Sequence, residues 1–442
     1  MELSTSRNIA QPGLRWDKGL FSTKPSWTTE PSIDIIKTLA SKHLDLENEV
    51  PGVSFFAQGS FNKLYEIKCS KGVFIFRVTL PVAPGVKTSS EVATLAFVRE
   101  HTTVPVPRVI ACDPDLTNEL GFEWILMERL EGRPLREKWH DLSWLKKGLI
   151  VQQVADFTAQ LSRLKFPLIG SIYSHNVYQH DEHQPTSNHH YTIGEAVTPT
   201  FFIEDHIQFD HPRGPFTTSL SFVTAHMQHF QHDIATQLQS DDEDDRDDAE
   251  EMQEVYNLLH PLITQLFPPS QPQNQEFTTL FHHDLSANNI LVNPAGDLIG
   301  IVDWECTLTA PSWLAYQLPE FLEGPRIPLT SPPDLLPTEY HDDADAVTAH
   351  QEQVHAYEVA QLRRFFLEEM ARVEPEWVDV FREQGARRDV LVAAELVGQG
   401  RCLGMIRKWI ADVARGGKRV VSLTDRLRGV DVEDEDESNQ LE

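Results

Sequence analysis

The chain has 442 residues, 40% apolar and 9% aromatic, with a formal net charge of −29; this suffices for one large two-lobed domain or for two domains with separate cores. No apolar run approaches the roughly 18 residues of a membrane span, so no membrane partner is expected. Cys69, Cys112, Cys306 and Cys402 lie far apart with no CxxC pair, which argues against a disulfide framework or cysteine zinc site and points to a reducing compartment. Much of the charge is local: 241–251 holds nine acids and one arginine, and 431–442 seven acids and no base. These runs read as a solvated loop and a disordered tail. The remainder is still acidic, which disfavours nucleic acid and tolerates a cationic substrate.

In chain order, residues 1–50 read as an N-terminal extension. They lack a basic region followed by an apolar stretch, so no secretory signal is expected. Arg7 and Arg15 without an acid in residues 3–16 leave a transit peptide open. The expected location is cytoplasmic, with mitochondria the alternative. From 51 to 131 strands dominate: "VSFFA", "LYEIKC", a Ser70, Lys71, Gly72 turn and "VFIFRV" predict an antiparallel hairpin sheet. A helix begins near residue 89 with Val92, Leu95 and Ala96 on one side, and "RVIACD" and "FEWILME" predict two further strands.

Beyond Gly132 and Pro134 the chain turns helical, at 146–164 and 345–373; in the latter Val347, Val354, Tyr357, Leu362, Phe365, Phe366 and Met370 approximate a stripe. The expected fold is α+β, with a small antiparallel β lobe at 51–131 and a larger, mainly helical lobe at 132–415. A tail at 416–442 follows. Residues 174–256 look like an insertion over or beside a substrate cleft. Its histidines, His175, His180, His183, His189 and His190, sit among Asn, Gln, Asp and Ser, which suits a polar loop better than a zinc site.

The stretch "LFHHDLSANNILV" at 280–292 stands out. His282-His283-Asp284-Leu285-Ser286-Ala287-Asn288-Asn289 matches the kinase catalytic-loop pattern H-R-D-L-x-x-x-N at every fixed position except the arginine. Fourteen residues past Asn289, "GIVDWE" brings Asp303 to the end of an apolar strand, where kinases carry the D-F-G aspartate. The intervening segment reads as two strands joined by an Asn-Pro-Ala-Gly turn, which would bring Asn289 and Asp303 near each other. Phosphoryl transfer needs a carboxylate that takes the proton of an attacking hydroxyl, and oxygen ligands that hold Mg²⁺ against nucleotide phosphates. Asp284 is the candidate for the first role, Asn289 and Asp303 for the second. Taken singly, each could instead be a turn residue or a strand end.

On these motifs the sequence resembles the aminoglycoside phosphotransferase and choline kinase-like family, over roughly residues 50–410. It is most similar to the fungal branch, which "YTIGEAVTPTFF", "RGPFTT" and "DWECTLTAPSWLAYQLPEFL" accompany. The resemblance implies a protein kinase-like fold, ATP and Mg²⁺ as cofactors, and transfer of the γ-phosphate to a hydroxyl of a small molecule. Ser286 and Asn288 depart from the commoner H-G-D-x-H-P-x-N form. On the nucleotide side "AQGSFNKLYEI" supplies only Gly59, followed by Ser60, in place of a full glycine loop.

Arg77 stands where the family's third-strand lysine is usual, and keeps its charge. Glu91 is its candidate partner, although Thr88-Ser89-Ser90-Glu91 also matches a capping box in which Glu91 would only satisfy a backbone donor. By analogy to the family, Glu128 and Leu130 of the segment 127–130 would face adenine. Asp303 leads within eight residues to Pro311, which leaves no room for a peptide-binding activation loop and disfavours a protein kinase. A nucleotide-binding protein without catalysis is the alternative.

Overall fold

The computed structural model describes residues 8–19, 23–174, 191–269, 276–324, 332–335, 337, 343–416 and 420–428. A hairpin of β1 (Leu14–Lys18) and β2 (Thr23–Trp27) leads into α1 (Ile33–His43), capped by the Ser32 hydroxyl. There follow β3 (Gly52–Gln58), β4 (Asn62–Cys69), β5 (Gly72–Thr79), α2 (Val86–His101), β6 (Val109–Asp113) and β7 (Glu123–Glu128). Strands β3 to β7 form one antiparallel sheet in the order β3-β4-β5-β7-β6. Gly72 closes the β4–β5 turn at φ +126°, a conformation that side chains resist.

Alternation along β5 decides what each face of the sheet holds. Phe74, Phe76 and Val78 point one way, Ile75, Arg77 and Thr79 the other. On the first face Tyr65, Ile67, Phe76, Val78, Trp124 and Leu126 pack with Ile36, Leu39 and Ala40 of α1. On the second, Ile75, Ile125 and Met127 pack with Val92 of α2. A strand covered on both sides loses its polar alternation, hence the nearly continuous apolar run "VFIFRV". Residues 33–46, assigned to an extension from the sequence, therefore belong to the small lobe's core.

The larger lobe comprises β8 (Arg133–Pro134), α3 (Leu135–Lys138), α4 (Trp144–Arg163), β9 (Ser171–Ser174), β10 (Tyr191–Gly194), α5 (Ser219–Gln237), α6 (Glu243–Leu266), β11 (Thr278–Phe281), β12 (Ile290–Val292), β13 (Leu298–Ile301) and β14 (Leu308–Pro311). It ends in α7 (Ser312–Ala315), α8 (Ala344–Val373), α9 (Pro375–Glu383), α10 (Gly385–Gly398), α11 (Leu403–Arg415) and α12 (Leu423–Leu427). The α+β, two-lobed architecture is the expected one. Ile150, Val151 and Val154 of α4 pack with Leu362, Phe366 and Met370 of α8, and α5, α6, α10 and α11 share a second core. A third cluster joins the lobes: Ala93, Leu95, Phe97 and Val98 of α2 pack with Leu161, Leu280, Ile301 and Trp304. No helix of the described residues is long and apolar enough to cross a membrane.

Three expectations change. The acidic run 241–251 is the start of helix α6 rather than a loop. Asp242 caps it by accepting from the Asp244 N–H at 3.0 Å, and Glu243, Asp244 and Asp245 occupy the first turn, where the helix dipole favours anions. Ala249, Met252, Val255 and Leu259 bury its inner edge. The tail begins later than 416, because Leu423 is fully buried and its N–H donates to Asp389 Oδ2 at 2.7 Å. The stripe on α8 buries only its second half, from Val359 to Met370. The acidic segment 431–442 and the histidines between 175 and 190 lie outside the described residues.

Helix α5 carries two buried histidines, His226 and His229. Burial pushes His226 down to about 4; burial and the nearby His206, His211 and Arg213 push His229 down to about 2. Unfolded histidine titrates near about 6.5. Between about pH 6.5 and 4 the unfolded chain therefore binds protons that the folded chain refuses, and stability falls as pH falls. His206 opposes this in part: despite its burial, the Asp233 carboxylate at 2.8 Å keeps it above its ordinary value. The melting temperature is expected to drop by several degrees from about pH 7 to about pH 5, and His226→Phe should flatten that drop. A profile as steep in the variant as in the parent would clear His226 of any part in it.

Candidate functional site

The loop between β11 and β12 is tied at both ends. His282 is buried, its Nε2 donates to the Val302 carbonyl at 3.1 Å, and its Nδ1 accepts from the Asp284 N–H at 3.3 Å. Acceptance at Nδ1 needs the neutral ring with its proton on Nε2, and burial pushes His282 down to about 4. This histidine therefore fixes the loop to the segment that leads to Asp303. Asn289 fixes it from the other side: its Nδ2 donates to the Asp284 carbonyl at 3.0 Å and to Asp284 Oδ2 at 2.8 Å. The Asn289 carbonyl in turn accepts from the Val302 N–H at 2.9 Å. The β12–β13 hairpin, with Ile290 opposite Ile301, is what brings the Asn289 and Asp303 backbones together.

Asp303 has φ +66°, a left-handed conformation that is strained for an aspartate, and Cys306 repeats it at +56°. Between them Trp304 is buried in the inter-lobe cluster, and its Nε1 donates to the Ile301 carbonyl at 3.0 Å. The two acids flanking Trp304 diverge. Burial and then the Glu305 charge push Asp303 up, against the pull of Arg77 and Lys87. Lys87 and Arg77 hold Glu305 down although it is buried.

On the small lobe, Arg77 and Glu91 form a buried ion pair, with Arg77 Nε left without a hydrogen-bond partner. The capping-box alternative for Glu91 fails, since α2 starts at Val86 behind Gly85 and its cap makes no side-chain bond. One turn earlier on the same helix face, Lys87 is 1% exposed and pairs with Glu305. Glu305 Oε2 also accepts from Asn62 Nδ2 at 2.8 Å, and Asn62 Oδ1 accepts from the Thr79 hydroxyl at 2.9 Å. Residues from β4, β5, α2 and the Asp303 loop thus form one buried charged network.

Gly59 and Ser60 sit in the exposed β3–β4 turn, closed by a Gly59 N–H to Asn62 carbonyl bond of 2.9 Å. A Cβ on Gly59 would meet nothing within 4 Å. Glu128 ends β7 with its carboxylate between Arg99 and Arg108, at 3.7 and 3.8 Å. Leu130 packs against Gly300 of β13, where a Cβ would lie 2.2 Å from Leu130 Cδ1. The Leu130 carbonyl accepts from Gly132, and its N–H has no acceptor among the described residues.

Sequence reasoning missed Lys87, Asn62, Glu305 and Glu320. The Glu320 N–H donates to the Leu285 carbonyl at 3.1 Å, and burial followed by the nearby Asp284 carboxylate raises the Glu320 side chain. Asn62 had a signal: on the pattern G-x-G-x-x-G-x-V, Ala57, Gly59 and Asn62 fall at the glycine positions and Leu64 at the valine.

Residues 52–313 match the model of the phosphotransferase enzyme family, a span from the first strand of the sheet into α7. The chain belongs to this family. A subtelomeric hrmA-associated cluster protein of Aspergillus fumigatus is 28% identical to this phosphotransferase family member over 309 residues, 61% of this chain and 60% of that one. The altered inheritance of mitochondria protein 9, mitochondrial, of Saccharomyces cerevisiae is 22% identical over 353 residues, 69% of this chain and 56% of that one. The chain thus spans 60% of the length of the first relative and 56% of the second. A crystal structure of a thermostable mutant of aminoglycoside phosphotransferase APH(4)-Ia, in its apo form, aligns at 13% identity over 83% of this chain and 98% of that one, with a TM-score of 0.44.

Removing one partner of a buried ion pair leaves the other charge uncompensated, at a cost of about 3–5 kcal/mol. Glu91→Ala should therefore lower the melting temperature of the ligand-free chain markedly, and Arg77→Met combined with Glu91→Leu should recover most of the loss. A single variant as stable as the parent would refute the pairing.

Proposed function

We propose that the chain is an ATP- and Mg²⁺-dependent phosphotransferase that moves the γ-phosphate to a hydroxyl of a small molecule. The observation that carries this reading is the double tether of Asp284, by Asn289 Nδ2 and by His282 Nδ1, beside the strand that delivers Asp303. Asp284 then takes the proton of the acceptor hydroxyl. The acceptor oxygen bonds to the γ-phosphorus as the bond from that phosphorus to the β,γ-bridging oxygen breaks, and ADP leaves with the electron pair.

Several features fit a nucleotide. Leu130 offers an N–H with no partner among the described residues, the open space at Gly59 leaves room for a phosphate against the backbone, and Arg77 Nε is a buried donor without a partner among the described residues. The site also fits a divalent cation. Burial and then the Glu305 and Asp284 charges raise Asp303 against the pull of Arg77 and Lys87, and a bound cation would offset those charges. Among the described residues no three His, Cys, Asp or Glu side chains form a metal cage. Mg²⁺ takes one or two protein ligands and completes its shell with phosphates and water. Asn289 and Asp303 would hold it, and it would neutralise charge developing on the transferring group.

A cavity of about 210 Å³ beside the catalytic loop, lined by His283, Tyr316, Gln317, Glu320 and Trp377 among others, supports a small acceptor. The described cysteines are all free, which fits a reducing location, cytoplasmic or, as in the name of the yeast relative, mitochondrial. Ala57 and Asn62 at glycine positions favour the second reading, a nucleotide-binding protein without transfer.

Two variants separate these. Asp284→Ala is expected to abolish turnover and retain nucleotide binding; surviving turnover would remove Asp284 from the role of base. In thermal unfolding, ATP at 100 times its dissociation constant stabilises by about 2.7 kcal/mol, a shift of a few degrees. That shift should require Mg²⁺ in the parent and lose its Mg²⁺ dependence in Asp303→Ala. Binding without turnover on any hydroxyl substrate would favour the second reading.

A further inference from the structure

Lys87 is an unusual place for a charge. Its ammonium is 1% exposed, bonded to Glu305 and set 5.5 Å over the ring of Phe61, which follows the Gly59 and Ser60 turn. A buried Lys–Glu pair stabilises a fold no better than apolar residues of the same size, so packing alone does not account for it. Its position is more telling. Through Glu305 it is tied two residues past Asp303, and Glu305 also accepts from Asn62 of β4. Lys87 therefore sits beside the loop that carries the candidate metal ligand. Arg77, the residue at the usual lysine position, is already committed to Glu91.

We propose that Lys87 is a polyphosphate-binding residue, held on Glu305 in the ligand-free chain and turned onto the phosphates beyond the first when nucleotide binds. The proposal rests on the nucleotide reading above. Glu305 can release the ammonium without being stranded, because Asn62 Nδ2 still donates to it at 2.8 Å. The rearrangement is a rotation of one flexible side chain, and a point charge on a four-carbon stem suits it better than the planar fork of Arg77. Two cations then divide the work: Arg77 stays fixed by Glu91, and Lys87 responds to how many phosphates are present.

The dependence on phosphate number tests this. Dissociation constants of AMP, ADP and ATP, each with Mg²⁺, are measured by calorimetry on the full chain and on Lys87→Met. The expected result is AMP affinity unchanged within about twofold and ATP affinity reduced by about tenfold or more, as for loss of one charge-assisted hydrogen bond. If the single variant does not fold, Lys87→Met with Glu305→Gln removes both charges and is measured in its place against Glu305→Gln alone. Equal loss for all three nucleotides, or no loss, overturns the inference and leaves the nucleotide site standing. A parent chain that binds none of the three overturns the proposed function as well.

Discussion

Arg77 leaves the middle of a five-stranded sheet on the face that α2 covers, and a guanidinium there needs a carboxylate. Meeting that need sets the phase of the helix: Glu91 must face the sheet, so Lys87, four residues earlier, faces the same side. Lys87 then needs an acid of its own and finds it in Glu305, from the other lobe. Glu305 lies two residues past Asp303, so the chain of pairings that begins in the small lobe ends by positioning the candidate metal loop. Asn62 and Thr79 close the ring from the sheet side. Pulling Arg77 from Glu91 would strand a buried charge, whereas Glu305 is shared between Lys87 and Asn62, and such shared partners make the arrangement cooperative rather than additive.

The parts of this that could be read from the sequence are those with local signals. Strands β3, β4, β5 and β7 announce themselves by β-branched and aromatic runs between turn residues, and Asp284, Asn289 and Asp303 by their spacing. The Arg77 and Glu91 pairing could be inferred because strand and helix are neighbours in the chain. Lys87 and Glu305 are 218 residues apart, and neither carries a pattern. Placing the start of α2 near residue 89 also left Lys87 outside the helix, hiding its i,i+4 relation to Glu91. The acidic run misled for a different reason: high charge density resembles solvated coil, yet the same acids favour a helix N-terminus, and the apolar positions that bury α6 come only after them.

The lobes differ in how their polar groups are used. In the larger lobe His282 serves as a neutral strut, with one nitrogen on each side of the loop it braces. His283 stands beside it where the kinase pattern has arginine, its ring stacked on that of His282 with centroids 6.4 Å apart, and it lines the cavity next to the loop.

The hydrophobic cluster shared by α2, α4, β11, β13 and Trp304 bears on how anything enters or leaves. A two-lobed outline suggests jaws that swing apart, but here the helix that backs the upper jaw is embedded in the lower one. Swinging them apart would draw Trp304 and its neighbours into water, so the opening is coupled to unpacking a core. Traffic then falls to the small parts at the mouth: the turn at Gly59, and Phe56 with the Arg129 guanidinium 5.1 Å over its ring. Motion around the cleft is then expected of its loops and side chains rather than of the two packed bodies.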